Sequence, residues 1–406
     1  MNQHVENLEI EELRHLIESC RQLLTCEILD LARLHTNHNC QACLDNVHIP
    51  LGSPEYPSPA DGSGTPQIPG LFPAGRVTLD DLKKHNFRYI IGGTTCGIIN
   101  SPDHDNPELA WFVDFIDFHR ETPERQARVE RLAALLHLGA QFGTPCHSNK
   151  AHMAIKPPFH RGKMVMLGMR KAREALPYAM YAIPERFKKT AELEDEWFDF
   201  QAEFMPEIAI IMNYLFEESL ASIVTQNAQN FVAEFRLPPF GAITVYAEDW
   251  NRSAGCNYTI SYDGFNNEPH LDMDKYRYVF SVYVFVEKAT GELITDPDRI
   301  QACMEGGYLI WPDLHLALKI VHCLGLVLIL WRGTHERHCT IASKILDPKV
   351  IRYGTSLQVN EKLFNSVQSY HKKLQIIEQW EQDGCPGECP VKLIHPKGLA
   401  DMGVHG

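Results

Sequence analysis

The sequence lacks any long hydrophobic run. No stretch reaches the roughly 20 apolar residues that a helix needs to cross a bilayer, and the first residues, MNQHVENLEIEELRH, are acidic and polar. A secretory signal would be basic and then apolar at that place. The sequence therefore predicts a protein that acts inside the cell and binds no membrane.

Regular cysteine spacing and excess positive charge are also lacking. The 12 cysteines in 406 residues are irregularly spaced, which favours free thiols or metal ligands over a disulfide framework. The formal net charge of −14 argues against a protein that binds nucleic acid with its whole surface. With 44% hydrophobic and 22% charged residues, the composition is typical of a globular protein with a real core.

One segment has the opposite charge. Residues 150–189 contain ten basic and two acidic residues. Such a block in an acidic protein is either a face that binds anions or a solvated surface of two helices, and the sequence leaves both open. The candidate anion-binding residues in the block are Arg161, Lys163, Arg170 and Lys171.

Hydrophobic periodicity and composition divide the chain into five regions. These are an amphipathic helical segment (1–48), a linker rich in proline and glycine (49–76), a mainly helical and partly basic region (77–235), a strand-rich core (236–360), and a C-terminal helix and tail (361–406). Apolar residues between Leu8 and Leu31 recur at three- and four-residue spacings, as in an amphipathic helix. A helical run from Leu193 to Phe235 should be kinked or divided at Pro206.

After Arg236 the sequence changes to short runs rich in β-branched and aromatic residues. The eight runs are AITVYAED, NYTISYDGF, YVFSVYVFVE, YLIWPDL, LALKIV, LVLILWRG, HCTIAS and IRYGTSLQV. Turn signals separate them, which predicts two packed sheets of the jelly-roll type, a double-stranded β-helix. Helices are expected before it, over 123–142, and after it, over 361–382. The predicted fold class is therefore α+β.

Two histidines and one carboxylate lie in this strand region with the pattern of a metal site. His270 and Asp272 form a His-x-Asp pair, and His338 follows the sixth run. Alternate residues of an extended chain point to the same side. Two histidines and a carboxylate on neighbouring strands form the facial triad of non-haem Fe(II) oxygenases, which leaves coordination positions free for a keto acid and oxygen.

Arg352 begins the final strand-like run. A guanidinium there can hold the distal carboxylate of 2-oxoglutarate in a bidentate pair, which a lysine would not reproduce. The alternative interpretation is that His270 and His338 are ordinary, partly buried histidines and that Arg352 is a surface residue.

Three segments, GGYLIWPDLHLALKI, LVLILWRGTHERHCT and RYGTSLQV, resemble the TET/JBP family of DNA-modifying 2-oxoglutarate oxygenases, in particular its fungal branch. Arg332, Gly333 and Thr334 match the Arg-Gly-Ser/Thr of that family. The resemblance therefore implies that the distal iron ligand is His338 and not His335.

The resemblance covers about residues 146–359. It implies oxidation of a methyl group on a base of duplex DNA in the nucleus, with Fe(II), 2-oxoglutarate and O2 as cofactors. A base in a duplex must be flipped out before it is reached. Both 5-methylcytosine and N6-methyladenine present a methyl group, and the sequence does not choose between them. An oxygenase acting on protein or a small molecule, and a DNA-binding scaffold with an inactive oxygenase fold, remain alternatives.

The sequence departs from the family pattern in two places. His315 stands where the family usually has glycine, and the Arg-x-Ser of the family is here Arg352-Tyr353-Gly354. The hydroxyl that often supports the keto acid is therefore expected from Thr355 or Ser356. Asn257 is a further candidate for the cofactor site.

Polar and aromatic residues surround the His-x-Asp pair. Tyr262 can stack on a base and the neighbouring amides can donate hydrogen bonds to it, but the same composition is typical of a turn. The candidate substrate-binding residues here are Tyr262, Asp263, Asn266 and Asn267.

Cysteines near both ends of the chain are a candidate structural zinc site. Cys40 and Cys43 form a Cys-x-x-Cys pair flanked by histidines, and Cys385 and Cys389 lie near the other end. They would bind zinc if the two ends meet, and are free thiols otherwise.

Overall fold

The computed structural model describes residues 77–85, 87–100, 107–146, 162–172, 176–242 and 252–385. The predicted N-terminal helical segment, the linker, most of the first predicted strand (AITVYAED), Arg161 and three of the four candidate zinc cysteines lie outside these ranges. Cys385 lies inside them and is an exposed free thiol.

The described ranges contain seven α-helices: α1 (Leu79–Lys84), α2 (Pro123–Phe142), α3 (Ala191–Asp199), α4 (Met205–Glu217), α5 (Ser222–Glu234), α6 (Pro297–Cys303) and α7 (Glu361–Gln382). Both helices predicted beside the strand region, α2 and α7, are confirmed. Pro206 lies in the first turn of α4, directly after a π-helical turn (Phe200–Phe204) that interrupts the α-helical hydrogen bonding between α3 and α4, while the helical backbone continues through it. Within the described residues, no helix has the length and apolar character needed to cross a membrane.

The strands in the same ranges are β1 (Arg88–Ile90), β2 (Thr94–Asn100), β3 (Pro107–Asp117), β4 (Thr144–Pro145), β5 (Lys163–Arg170), β6 (Ala179–Met180), β7 (Asn257–Tyr262), β8 (Tyr278–Glu287), β9 (Met304–Gly306), β10 (Leu309–Trp311), β11 (Leu316–Leu318), β12 (Gly325–Arg332), β13 (Cys339–Thr340), β14 (Ser343–Ile345) and β15 (Val350–Gln358). The major sheet has the order β2-β3-β12-β8-β15-β7-β5-β4, with β6 beside β5. A minor sheet has the order β1-β11-β10-β13, and β14 pairs with β9.

The strands between residues 257 and 358 are divided between the two sheets, and the chain crosses from one sheet to the other several times, as in a double-stranded β-helix. The strands β7, β8, β12 and β15 lie in the major sheet, whereas β10, β11 and β13 lie in the minor sheet. One face of the major sheet packs against the minor sheet around Trp111, Trp311 and Phe285. The other face packs against the helices through residues such as Leu132 and Phe280. The predicted α+β fold with a jelly-roll core is confirmed.

Burial of the major sheet on both faces explains its sequence pattern. All residues of β8 except the last are buried, so the strand is a continuous apolar run and does not alternate. The strand β3 (PELAWFVDFID) has the same character and pairs with β12. Periodicity alone does not separate such a run from a buried helix. The region 77–235 was expected to be mainly helical, but it also contains β3 and β5 of the major sheet. Periodicity did not reveal these buried strands.

The packing between the sheets can be tested at Trp311. This side chain is fully buried, stacks on Trp111 at 6.0 Å between ring centroids and meets Trp331 edge-on. We expect Trp311→Ala to lower the free energy of unfolding by about 3–5 kcal/mol, because a large buried ring leaves a cavity. Urea unfolding measures this change. Ile210→Ala, at a position 55% exposed, is the control, and an equal loss in both variants would contradict the predicted packing.

Candidate active site

The structure brings His270, Asp272 and His338 together at one end of the β-helix. One ligand atom from each lies within 4.8 Å of the others, and no second such cluster occurs among the described residues. His270 Nε2 lies 3.6 Å from Asp272 Oδ1, and His338 Nε2 lies 3.4 Å from Asp272 Oδ2. Two imidazoles and one carboxylate around a common point form a donor set that suits Fe(II).

Backbone pairing creates this cluster. His270 and His338 face each other in an antiparallel bridge, with N···O distances of 3.1 and 3.0 Å. The Asp272 amide donates to the Gly333 carbonyl at 2.8 Å. A Cβ atom on Gly333 would lie 2.7 Å from Asp272 Oδ2. Any side chain at this position of the Arg-Gly-Thr motif would therefore clash with the carboxylate.

Hydrogen bonds to the backbone orient both rings. The Nδ1–H of His270 donates to the Glu268 carbonyl at 2.8 Å, and that of His338 donates to the Glu336 carbonyl at 3.0 Å. This assignment leaves each Nε2 lone pair for a metal, the arrangement usual for metal-binding histidines. His270 therefore presents Nε2 to Asp272 from one side, and His338 presents Nε2 from the other.

The electrostatics of the cluster favour the metal-binding protonation state of Asp272 and His338, whereas those of His270 favour its protonated form until a metal displaces the proton. Burial lowers the pKa of His338 to about 4, so this imidazole is neutral at neutral pH. Burial raises the pKa of the Asp272 carboxyl, but the two imidazoles and the Gln358 amide outweigh it and the net shift is downward. Burial lowers the pKa of His270, yet hydrogen bonding and charge from Asp272 make its net shift upward. A metal binds an ionised carboxylate and neutral imidazoles.

Two ion pairs anchor the loop that leads to His338. The Arg332 guanidinium donates to Glu336 in a buried pair. Arg337 Nε donates to Asp313 Oδ2 at 2.9 Å, which ties the loop to the minor sheet. Breaking such a buried pair is costly because it leaves a charge without compensation.

His335 lies in the same loop but faces solvent. Its Nδ1 lies 2.7 Å from the hydroxyl of the adjacent Thr334. The structure therefore brings His338, and not His335, to the other two candidate ligands.

Arg352 lies on β15 and is almost fully buried, with 2% exposure. Its guanidinium donates to the carbonyls of Gly307 and Phe265 and lies over the Tyr283 ring. Its Nε atom is buried without a hydrogen-bond partner, and burial lowers the pKa of the group. No carboxylate among the described residues forms an ion pair with it. A buried cation without an anionic partner fits a carboxylate ligand such as that of 2-oxoglutarate.

The strand β15 connects this cation to the metal cluster. Its register with β7 and β8 contains no shift between Arg352 and Gln358, so Arg352, Gly354, Ser356 and Gln358 project from one face. Gln358 Nε2 donates to Asp272 Oδ2 at 3.0 Å. Between the two ends the strand presents only small residues, which suits a short dicarboxylate. The sequence interpretation did not single out Gln358; the available signal was its even spacing from Arg352.

The side chains of the two other candidate cofactor residues, Asn257 and Thr355, form hydrogen bonds with backbone groups of the protein. Asn257 Oδ1 accepts from the Asn360 amide at 3.0 Å, and its amide group donates to the Met169 carbonyl. Thr355 Oγ1 accepts from the Val282 amide at 2.9 Å. Alternation along β15 places Thr355 on the helix-facing side of the sheet, opposite Arg352. Ser356, the other expected hydroxyl, lies on the same side as Arg352.

The candidate base-pocket residues lie in and around the turn after β7. Tyr262 packs against the helix-facing core, and its hydroxyl donates to the Ala140 carbonyl at 3.5 Å. Asn266 is buried and donates to the Gly264 carbonyl at 3.2 Å. Asn267 Oδ1 accepts from the Thr340 amide at 2.7 Å, within the strand pairing that includes His270 and His338.

The basic candidates do not lie together. Lys163 lies opposite Tyr262 at one end of β5 and forms an ion pair of 3.1 Å with Asp263. Arg170 lies at the other end of β5, about 23 Å along the strand. That end is close to Asn257, the strand partner of Gln358, and therefore to the metal cluster. Exposed Lys171 follows it.

Asp263 is surrounded by two lysines. Its carboxylate accepts from Lys163 at 3.1 Å and also from Lys288 at 3.1 Å. Burial raises the pKa of this carboxyl, but the two lysines outweigh it and the net shift is downward. The candidate substrate residue Asp263 is thus an ionised partner that partly neutralises the basic block.

Comparison with known proteins identifies one family. The sequence model of the Tet-like 2OG-Fe(II) oxygenase superfamily matches residues 122–343, more than half of the chain. This range contains the three candidate iron ligands. A solved structure, a prolyl-4-hydroxylase of Pseudomonas putida, is similar with a TM-score of 0.26 and 12% identity, over 62% of this chain and 93% of that chain. No curated protein matches.

The assigned iron ligands can be tested by metal content. We expect His270→Ala, Asp272→Ala and His338→Ala each to lose bound iron and all succinate formation, because each removes one of three donors. Iron per chain is measured after anaerobic reconstitution. His335→Ala is the matched control and should keep both properties. Iron loss in His335→Ala with retention in His338→Ala would show that the distal ligand is assigned wrongly.

The assigned role of Arg352 can be tested separately. Arg352→Ala removes a charge-assisted pair worth about 1.5–3 kcal/mol, so the apparent affinity for 2-oxoglutarate should fall about 10- to 100-fold. Iron content should be unchanged, and Arg352→Lys should recover only part of the affinity. Titration of succinate formation against 2-oxoglutarate measures the effect. An unchanged 2-oxoglutarate dependence in Arg352→Ala would contradict the assignment.

Proposed function

Because the chain belongs to the Tet-like 2OG-Fe(II) oxygenase superfamily, we propose that it oxidises methylated bases in DNA. The reaction is coupled to decarboxylation of 2-oxoglutarate to succinate. The candidate substrates are 5-methylcytosine and N6-methyladenine. The dioxygenase activity follows from the family and from the cluster of His270, Asp272 and His338. The DNA substrate is supported by the resemblance of the last three strand motifs to the fungal TET/JBP branch.

The roles of the residues follow from their positions. His270, Asp272 and His338 would hold Fe(II), which when bound supplies the activation of O2 that oxidation of a methyl group requires. Arg352 would bind the distal carboxylate of 2-oxoglutarate, because the buried guanidinium offers donors without an anionic partner. Trp331 lies 5.0 Å from His338 between ring centroids and is buried. Its ring keeps water from that side of the ligand.

A base in a duplex has to leave the stack to reach this partly buried cluster, in which His338 is buried and His270 is 40% exposed. Arg170 and Lys171 lie at the metal end of the major sheet, where they would contact the phosphates beside a flipped base. Such contacts position DNA without reading its sequence. A DNA substrate also implies that the protein works in the nucleus.

A second candidate is an oxygenase that acts on a protein or a small molecule with the same metal centre. One observation favours it: Lys163 is neutralised by Asp263, so the basic block is less positive than its sequence indicates. The close approach of His270, Asp272 and His338 and the burial of Arg352 argue against an inactive scaffold.

The substrate is tested by mass spectrometry of nucleosides. Methylated duplexes are incubated with the protein, Fe(II) and 2-oxoglutarate, and Asp272→Ala serves as the inactive control. Hydroxylation of 5-methylcytosine leaves a stable alcohol, whereas hydroxylation of N6-methyladenine gives a hemiaminal that loses formaldehyde. Loss of either methylated nucleoside supports the proposal. Succinate formation that no methylated duplex stimulates would favour the second candidate.

The DNA contact can be tested by salt dependence. Each phosphate contact contributes about −0.9 to the slope of log affinity against log salt. We expect the double variant Arg170→Ala and Lys171→Ala to bind methylated duplex more weakly and with a shallower slope. Its 2-oxoglutarate decarboxylation without DNA should be unchanged, because these residues touch neither the metal nor the keto acid.

The control for that experiment is Lys163→Ala, at the far end of β5, which should bind DNA as the wild type does. Fluorescence anisotropy over a range of salt concentrations measures both variants. Wild-type affinity and slope in the double variant would mean that this part of the basic block is only a solvated face.

A further inference from the structure

A hydrogen bond joins the strand that carries Arg352 to the metal cluster. Gln358 is the last residue of β15, and its Nε2 donates to Asp272 Oδ2 at 3.0 Å. The Asp272 side chain is only 14% exposed. The donor of this hydrogen bond is neither of the two histidines that share the carboxylate.

The backbone around Gln358 is held by β7 and the residues directly before it. Its carbonyl accepts from the Cys256 amide at 2.8 Å, and its Cα lies opposite Asn257 in β7. A Cβ atom on Gly255 would lie 2.8 Å from the Gln358 carbonyl oxygen, so the chain approaches closely there. The backbone position of Gln358 is therefore fixed by strand register and does not depend on a flexible loop.

The segment that carries Asp272 is held against the same strand end. The Lys275 amide donates to the Val359 carbonyl at 2.7 Å, and Asp274 pairs with Asn360 in an antiparallel bridge. The two segments on which Gln358 and Asp272 lie thus run side by side. Backbone pairing therefore keeps the Gln358 side chain within reach of the Asp272 carboxylate.

We propose that Gln358 is a positioning residue: its amide holds the Asp272 carboxylate in the orientation in which it binds the metal. The two oxygens of Asp272 face different imidazoles, Oδ1 towards His270 and Oδ2 towards His338. Rotation about the Cβ–Cγ bond would exchange or misdirect them. A donor on Oδ2 fixes this rotation, and as a neutral amide it adds no positive charge to compete with the metal. Partners of this kind orient ligands and tune affinity.

One strand then orients both halves of the site. Arg352 and Gln358 project from the same face of β15. Arg352 would bind the distal carboxylate of the keto acid, and Gln358 donates to the carboxylate of the metal ligand Asp272. The two residues should affect different measurements: Arg352 the affinity for 2-oxoglutarate, and Gln358 the affinity for the metal. This inference depends on the metal site and is independent of the substrate.

The experiment measures metal binding alone, without 2-oxoglutarate or DNA. Fe(II) is titrated anaerobically into the metal-free full-length chain against a competing chelator. Gln358→Met keeps the length of the side chain and removes the donor, and its Fe(II) affinity should fall about 10- to 100-fold. The Co(II) absorption spectrum should also change, because a rotated carboxylate alters the ligand field. The 2-oxoglutarate dependence at saturating iron should stay at the wild-type value.

The matched control is Gln368→Met. Gln368 lies on α7, and its Nε2 donates to the Phe235 carbonyl at 2.8 Å. This hydrogen bond does not involve the metal cluster, so the variant should bind Fe(II) as the wild type does. Gln358→Asn is the second variant: it stays polar but is one methylene too short to reach Oδ2, and it should lose affinity as Gln358→Met does.

Wild-type Fe(II) affinity and an unchanged Co(II) spectrum in a folded Gln358→Met or Gln358→Asn would overturn the proposal. An equal loss of affinity in Gln368→Met would overturn it as well. Failure of the DNA assay would leave these binding results unaffected, so the two proposals fail independently.

Discussion

The antiparallel bridge between His270 and His338 is the constraint on which the site depends. Two backbone hydrogen bonds of 3.1 and 3.0 Å join segments that are far apart in sequence. Because the bridge fixes both backbones, each ring needs only one further bond, from Nδ1 to a carbonyl, to direct its Nε2 inward. Alternation then places Asp272 on the same side as His270. The cluster is therefore a consequence of sheet pairing.

Charge is distributed so that the interior of the site accepts ions. The loop before His338 has its own ion pairs, Arg332 with Glu336 and Arg337 with Asp313. Arg352 is more deeply buried, yet its hydrogen-bond partners among the described residues are carbonyl groups and not carboxylates. A buried cation of this kind is costly unless an anion binds to it. In the part of the chain that the structure describes, β15 thus carries a buried positive group without an anionic partner, and its last residue, Gln358, contacts the metal-binding cluster. A dicarboxylate that also binds the metal requires such an arrangement.

Local features of the sequence predicted the three residues that the structure brings together as a candidate metal site. His-x-Asp positions two ligands by strand alternation alone, and the Arg-Gly-Thr motif separated His338 from His335. Features that depend on register between distant strands were not visible. Gln358 reaches Asp272 only because β15, β7 and the segment after His270 lie side by side. In the sequence Lys163 and Arg170 belong to one basic block, but in the structure they lie at opposite ends of β5. The strand β3 was missed because both of its faces are buried.

We expect one site to hold both the metal and the keto acid, and a crystal structure of the protein with Mn(II) and 2-oxoglutarate, grown without oxygen, would show this. Mn(II) should bind to His270 Nε2, His338 Nε2 and the Asp272 carboxylate. Gln358 should donate to the same carboxylate, and the distal carboxylate of 2-oxoglutarate should pair with Arg352. Metal bound at other residues, or a distal carboxylate held by a different cation, would contradict this expectation.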